Sequence, residues 1–151
     1  MSRAAVLRAE LDAARDDFLA ALERLGPDAA TRPVLEDWNV RDVVWHVGFW
    51  ADHGAQALEL ALDGRGAAFD YDTDRTDAMN AAETIRGRAM DLPAALDRER
   101  AAHARLGAAI ARLDDRLLDR RLGNGDTVQE VLRYDGPDHY IEHAGHLRAT
   151  R

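Results

Sequence analysis

Four long stretches of this chain repeat apolar residues every three or four positions, and that period commits most of it to amphipathic α-helix. From Ala4 to Leu25 the stripe is Leu7, Leu11, Ala14, Phe18, Leu22 and Leu25, stopped by Gly26-Pro27. A turn-rich segment then runs to Asp37 or Trp38. Val40, Val43, Val47, Trp50, Leu58 and Ala61 carry the second stripe to Asp63-Gly64, interrupted only by Gly54, a residue that lets a neighbouring element approach closely. Gly64 to Asp77 is irregular and polar and reads as a crossover loop. Asp77 is placed to cap a helix through Met90, and Asp91-Leu92-Pro93 reads as a break and a new start. The third long stripe is Leu96, His103, Leu106, Ile110 and Leu113. Thr127 and Glu130 form a capping-box pattern for a short helix ended by Gly136-Pro137, and a last helix runs from about Pro137 to Arg148. No β-alternation of useful length is present. The expectation is an all-α four-helix bundle with short extra helices in the loops, residues 1–151 forming one domain.

The last helix carries the residues that point to chemistry. His139, His143 and His146 lie at i, i+4 and i+7, within an arc of about 60° on one helical face. Leu147 extends that face, which aims the imidazoles at the core. A buried imidazole without a partner costs about 1 to 3 kcal/mol, so a cluster of them calls for a reason. Two histidines four apart suit convergence on one ion at about 2.0 to 2.1 Å. The third ligand must come from another helix, and His46, beside Val43, Val47 and Trp50 on the inward stripe, is the natural candidate. Neutral imidazoles suit zinc, nickel, iron and copper, and three of them leave at least one coordination position open for water or substrate. Three roles stay open for His146: replacing a ligand, lining the open position, or supporting a ligand from outside. Glu142 is the candidate catalytic helper. Asp138 and Asp42 read as solvated helix acids, and His53 and His103 as partly exposed or core-satisfied histidines. Trp45, Trp50 and Tyr140 are candidates for the pocket wall, although aromatics at helical spacing are usually core.

Composition excludes several classes. The chain contains no cysteine, which removes disulfides, thiolate ligands and a cysteine nucleophile supplied by the chain itself. All twenty basic residues are arginine, scattered among 28 acids for a net charge of −8, a balance that argues against a nucleic-acid partner. With no apolar run of membrane-spanning length and no apolar signal core after Met1, a cytoplasmic protein with no membrane partner is expected.

Asp37-Trp38-Asn39-Val40-Arg41-Asp42-Val43-Val44-Trp45-His46 resembles the Trp-Ser-x-x-acid-x-x-x-His signature of DinB-like metal-binding bundle proteins, with Asn39 in place of the commoner Ser. His139-Tyr140-Ile141-Glu142-His143-Ala144-Gly145-His146-Leu147 resembles their closing His-x-x-x-His-x-Gly-Gln pattern, with His146 where Gln is commoner. Asp77-Ala78-Met79-Asn80 is similar to a short Asp-x-x-Asn that follows the crossover loop, and it brings Asn80 into the candidate pocket. The resemblance implies an up-down-down-up bundle, often homodimeric, with a divalent ion held by His46, His139 and His143 in a pocket at one end. It also implies a small-molecule substrate and an external low-molecular-weight thiol, since characterised relatives include bacillithiol- and mycothiol-dependent transferases and a maleylpyruvate isomerase. The isomerase has Glu where this chain has His139, so transfer is expected before isomerisation. A metal-dependent hydrolase and a non-enzymatic protein that sequesters a small molecule are the alternatives. A closed site that merely clamps two helices would need a fourth protein ligand, for which His146 or Glu142 is available.

Overall fold

A computed structural model describes all residues, Met1–Arg151. Seven helices account for most of the chain: α1 (Arg3–Leu25), α2 (Val40–Leu62), α3 (Thr76–Arg88), α4 (Leu92–Ala111), α5 (Asp115–Leu118), α6 (Val128–Asp135) and α7 (Pro137–Ala149). Local chemistry sets their ends. Ser2 Oγ accepts from the Ala5 amide at the start of α1, and Gly26 stops that helix in a left-handed conformation (φ 85°) that a Cβ disfavours. Reciprocal capping boxes open α2 (Asn39 with Asp42) and α6 (Thr127 with Glu130). Asp91 caps α4 with Pro93 in its first turn, and Pro137 opens α7.

The four long helices α1, α2, α4 and α7 make the bundle, with α2 packed on α4 and α1 on α7. Their relative directions follow from the side chains that meet. Along the α1 and α7 side, Glu10 pairs with Arg133 at the end of α6, Phe18 packs on Tyr140, and Arg24 reaches the Leu147 carbonyl, so the partners rise together and the helices are parallel. Gly48 abuts Glu99 and Glu59 pairs with Arg105, making α2 and α4 parallel as well. Asp12 meets His103 while Arg15 meets Glu99, and His46 meets His139 while His53 meets Asp135; α1/α4 and α2/α7 are therefore antiparallel. The result is the up-down-down-up order. Leu7, Leu11, Phe18, Val43, Val47, Leu58, Leu106, Ile110 and Leu147 of the expected stripes all lie in one buried apolar cluster.

The structure departs from expectation in the connections. The segment before α2 contains a small antiparallel hairpin, β1 (Pro33–Leu35) with β2 (Trp38–Asn39), pairing Pro33 with Asn39 and Leu35 with Trp38. Two paired strands of three and two residues are too short to display a period. The crossover loop contains single 3-10 turns at Gly66–Ala68 and Thr73–Arg75. Asp77 does not cap α3, which begins one residue earlier, at Thr76, with no side-chain cap. No helix is long and apolar enough to cross a membrane.

Candidate metal centre

His46 stands two turns into α2, on the face shared with Val43, Val47 and Trp50; the Asn39/Asp42 capping box fixes where that helix starts and so which way His46 points. The motif residues Trp38, Asn39 and Asp42 thus have a physical role: Asn39 and Ser are both good N-cap residues, and the acid three positions on closes the box. Trp38 packs against the His46 ring at a tilt of 53°, with centroids 4.4 Å apart. From α7, His139 and His143 turn toward the same point. His46 Nε2 lies 2.9 Å from His139 Nε2, which lies 3.1 Å from His143 Nε2. The ligating atoms of all three lie within 4.8 Å of one another, and no fourth acid or histidine joins that group.

The electrostatics of the cluster match its geometry. Burial pushes His46 and His139 down to about 3 and His143 down to about 2, and each is pushed further by a neighbouring imidazole. The rings are therefore neutral at physiological pH, the form that has a lone pair to donate. Three neutral rings with their Nε2 atoms turned inward cannot all satisfy one another, and His139 Nδ1 is sealed from solvent with no hydrogen-bond partner. A cation among the three Nε2 atoms would match the inward-facing side of this arrangement, accepting three lone pairs at once and leaving the protons on Nδ1. The donor set, all nitrogen and without carboxylate, fits zinc, nickel or iron better than magnesium or calcium.

Beside the histidines lies a cavity of about 290 Å³, lined by His46, His139, Trp50, Asn80, Asp135 and Glu142 among others. Trp50 Nε1 donates to Asn80 Oδ1 at 2.8 Å, tying α3 to the pocket wall. Trp50 and Asn80 both line this cavity. Glu142 is on the wall but exposed.

Three residues, Tyr140, Trp45 and Asp42, behave differently from their sequence reading. Tyr140 is fully buried and does not line the pocket; its hydroxyl donates to Glu99 Oε1 at 2.6 Å. Its position one residue after His139 rotates it by about 100°, which takes it away from the site. Trp45 likewise faces away, with Nε1 donating to Glu83. Asp42 is buried rather than solvated, because the capping box draws it in; Asp138 is exposed, as expected. His146 lies outside the three-histidine group: its Nδ1 is 3.2 Å from His143 Nδ1, on the far side of that ring.

The pair missed by sequence reasoning is Asp135 with His53. His53 was expected to be partly exposed or satisfied in the core, and its Nδ1 is 2.7 Å from Asp135 Oδ2. The partner, however, is a carboxylate only 2% exposed that also forms part of the pocket wall. Burial raises Asp135 to about 6, against the opposing pull of His53. Gly54 is what admits it, since a Cβ there would sit 2.9 Å from Asp135 Cβ. That glycine was the only available signal, and it announced a close approach without saying by what.

With this geometry established, comparison with known proteins adds one match: the family model described as the DinB superfamily covers residues 10–149. No curated protein and no solved structure is similar enough to count as a match.

Proposed function

The chain belongs to the DinB superfamily, and on that premise we propose that it is a divalent-metal-dependent enzyme that activates a low-molecular-weight thiol for transfer to an electrophilic small molecule. The observation that carries the proposal is the convergence of three neutral imidazoles, with no fourth protein donor, at the edge of a cavity large enough for a small ligand. A divalent ion held there supplies Lewis acidity, which favours the deprotonated form of a thiol or water that reaches it. The chain's own residues do the rest. His46, His139 and His143 hold the ion. Trp50 and Asn80 fix the wall against which the substrate rests. Asp135, held by His53 and raised to about 6, is poised to take the proton that the incoming nucleophile gives up.

Asp135 also favours a second reading, hydrolysis, because a wall carboxylate of this kind serves water as readily as a thiol. The thiol is preferred on the resemblance to thiol-dependent transferases.

Metal content by elemental mass spectrometry on tag-free protein tests the site, with His46→Ala and His143→Ala beside wild type and nickel columns avoided. About one zinc, nickel or iron per chain, absent from both variants, is expected. Folded wild-type protein that refuses added metal overturns the reading. The loaded protein is then offered thiols with an electrophile, and a nitrophenyl ester without a thiol, to separate transfer from hydrolysis; stoichiometric binding with no turnover in either assay identifies a sequestering protein instead.

A further inference from the structure

Metal-ligating histidines almost always donate their second ring N–H to a partner, which fixes the tautomer and the ring orientation. Among the three candidate ligands, the chain supplies such a partner once. His139 Nδ1 is buried with none. His46 makes a side-chain hydrogen bond only through Nε2. His143 alone has its Nδ1 engaged, by His146 Nδ1 at 3.2 Å, while its Nε2 faces His139 at 3.1 Å.

We propose that His146 is the positioning residue of the metal centre: its Nδ1 accepts the Nδ1–H of His143 and so holds the His143 Nε2 lone pair toward His46 and His139. This rests on the three-histidine metal reading. A hydrogen bond between two imidazole nitrogens needs one protonated and one bare. Placing the proton on His143 Nδ1 leaves its Nε2 free for the ion, and His146 then carries its own proton on Nε2. The opposite assignment would put a proton on His143 Nε2 and close the site.

The same geometry separates this role from two others. His146 is not a fourth ligand to the same ion, because it contacts the side of the His143 ring remote from the cluster. A second ion held by Glu142, His143 and His146, whose donor atoms also lie within 4.8 Å of one another, would require His143 to lose both ring protons if the first site were filled. One ion per chain is therefore expected. The contact is built by α7 itself: His146 is three residues after His143, so the two rings meet on one helical face whatever the rest of the bundle does.

The test uses zinc alone as the probe, with affinity measured by chelator competition on wild type, His146→Ala and His146→Gln. Removing an outer partner costs about 10- to 100-fold in metal affinity, which is the loss expected for His146→Ala. His146→Gln restores affinity to within a few-fold of wild type, since the amide oxygen is also an acceptor for the His143 N–H. Stoichiometry stays at one ion per chain in all three. Long-range ¹H–¹⁵N NMR of metal-free wild type supplies a readout independent of variant folding: His143 should be in the Nδ1–H form with a bare Nε2. Wild-type affinity in His146→Ala, equal weakness in His146→Gln and His146→Ala, a second ion that His146→Ala removes, or a His143 protonated on Nε2 each overturns the inference. Wild type that binds no zinc overturns the metal reading and this inference together, whereas zinc binding that ignores His146→Ala overturns only the inference.

Discussion

His139 and Tyr140 are consecutive residues of α7, yet they lead into two buried polar clusters of opposite character. Tyr140 joins Glu99 and Arg15. The carboxylate, 1% exposed, receives Arg15 Nε at 2.6 Å, Arg15 Nη2 at 2.9 Å and the Tyr140 hydroxyl at 2.6 Å. Burial and the Glu99 charge push the Tyr140 hydroxyl strongly up, so it stays a donor, and Glu99 also raises Arg15. Charges balance and both carboxylate oxygens are used, so nothing further is needed. His139 joins His46 and His143, whose Nε2 atoms converge to within 2.9 and 3.1 Å of His139 Nε2, and the His139 Nδ1 has no partner. A saturated network ties α1, α4 and α7 together; the one between α2 and α7 turns three ring nitrogens toward one point. Burial of polar groups is common to both, and what separates structure from site is whether the chain completes the valences itself.

That contrast is open to direct attack. The largest effect expected is from Arg15→Ala, which strands the Glu99 carboxylate and costs about 3 to 5 kcal/mol of stability, read by urea denaturation. The folded fraction should still take up one ion per chain; loss of metal along with stability would show that the two clusters are one. His143→Ala should do the reverse. Zinc at a hundred times its dissociation constant stabilises wild type by about 2.7 kcal/mol, and thermal melts with and without zinc should coincide in the variant.

The imidazoles also set a pH dependence. Their folded pKa values lie below the ordinary value of 6.5, at about 2 to 3. Between those limits the unfolded chain binds protons that the folded chain does not, so the stability present above pH 6.5 is lost progressively as pH falls toward 3. Asp135, raised to about 6, works in the opposite sense: its contribution is complete below its unfolded value of 3.8 and is lost as pH rises through 6. Metal-free melting temperatures at pH 7.5, 6 and 5 should fall with acid, and His46→Ala should flatten that fall. A melting temperature unchanged over the range would mean that the histidines are not held neutral.

Smaller effects test the frame. Asn39→Ala removes one half of the α2 capping box and should cost about 1 kcal/mol, with a modest loss of zinc affinity because the box orients His46; Asn39→Ser should recover both. Asp138→Ala, at an exposed position beside the candidate ligand His139, should change stability by less than about 0.5 kcal/mol and leave zinc affinity as it was. A large loss of affinity there would assign Asp138 a role its exposure does not support.

How much of this was legible in advance differs by residue. The stripes of α1, α2, α4 and α7 were readable because a 3.6-residue period repeats over many turns. The hairpin before α2 was not, since paired strands of three and two residues carry no period. His46, His139 and His143 were named from spacing and from a resemblance, with spacing restricting two of them to one face. Tyr140 was misplaced because a residue next to His139 in sequence is about a quarter-turn away from it on a helix. Asp42 was misread as solvated because its carboxylate accepts from a backbone amide, that of Asn39 three residues earlier.

What the sequence by itself determined is therefore local and periodic: helix ends set by Ser2, Gly26, Asn39 and Thr127, faces set by apolar spacing, and the i, i+4, i+7 histidines that meet on any helix. The tertiary structure decided everything that joins residues far apart in the chain. It chose Glu99 to saturate Tyr140 and left His46 and His139 unsaturated. It also set Asp135 against Gly54 and His53, 82 positions away from its imidazole partner. The physical reason is that helix periodicity fixes direction only within one element, whereas the valences of a buried polar group are filled, or left open, by whichever element packs across from it.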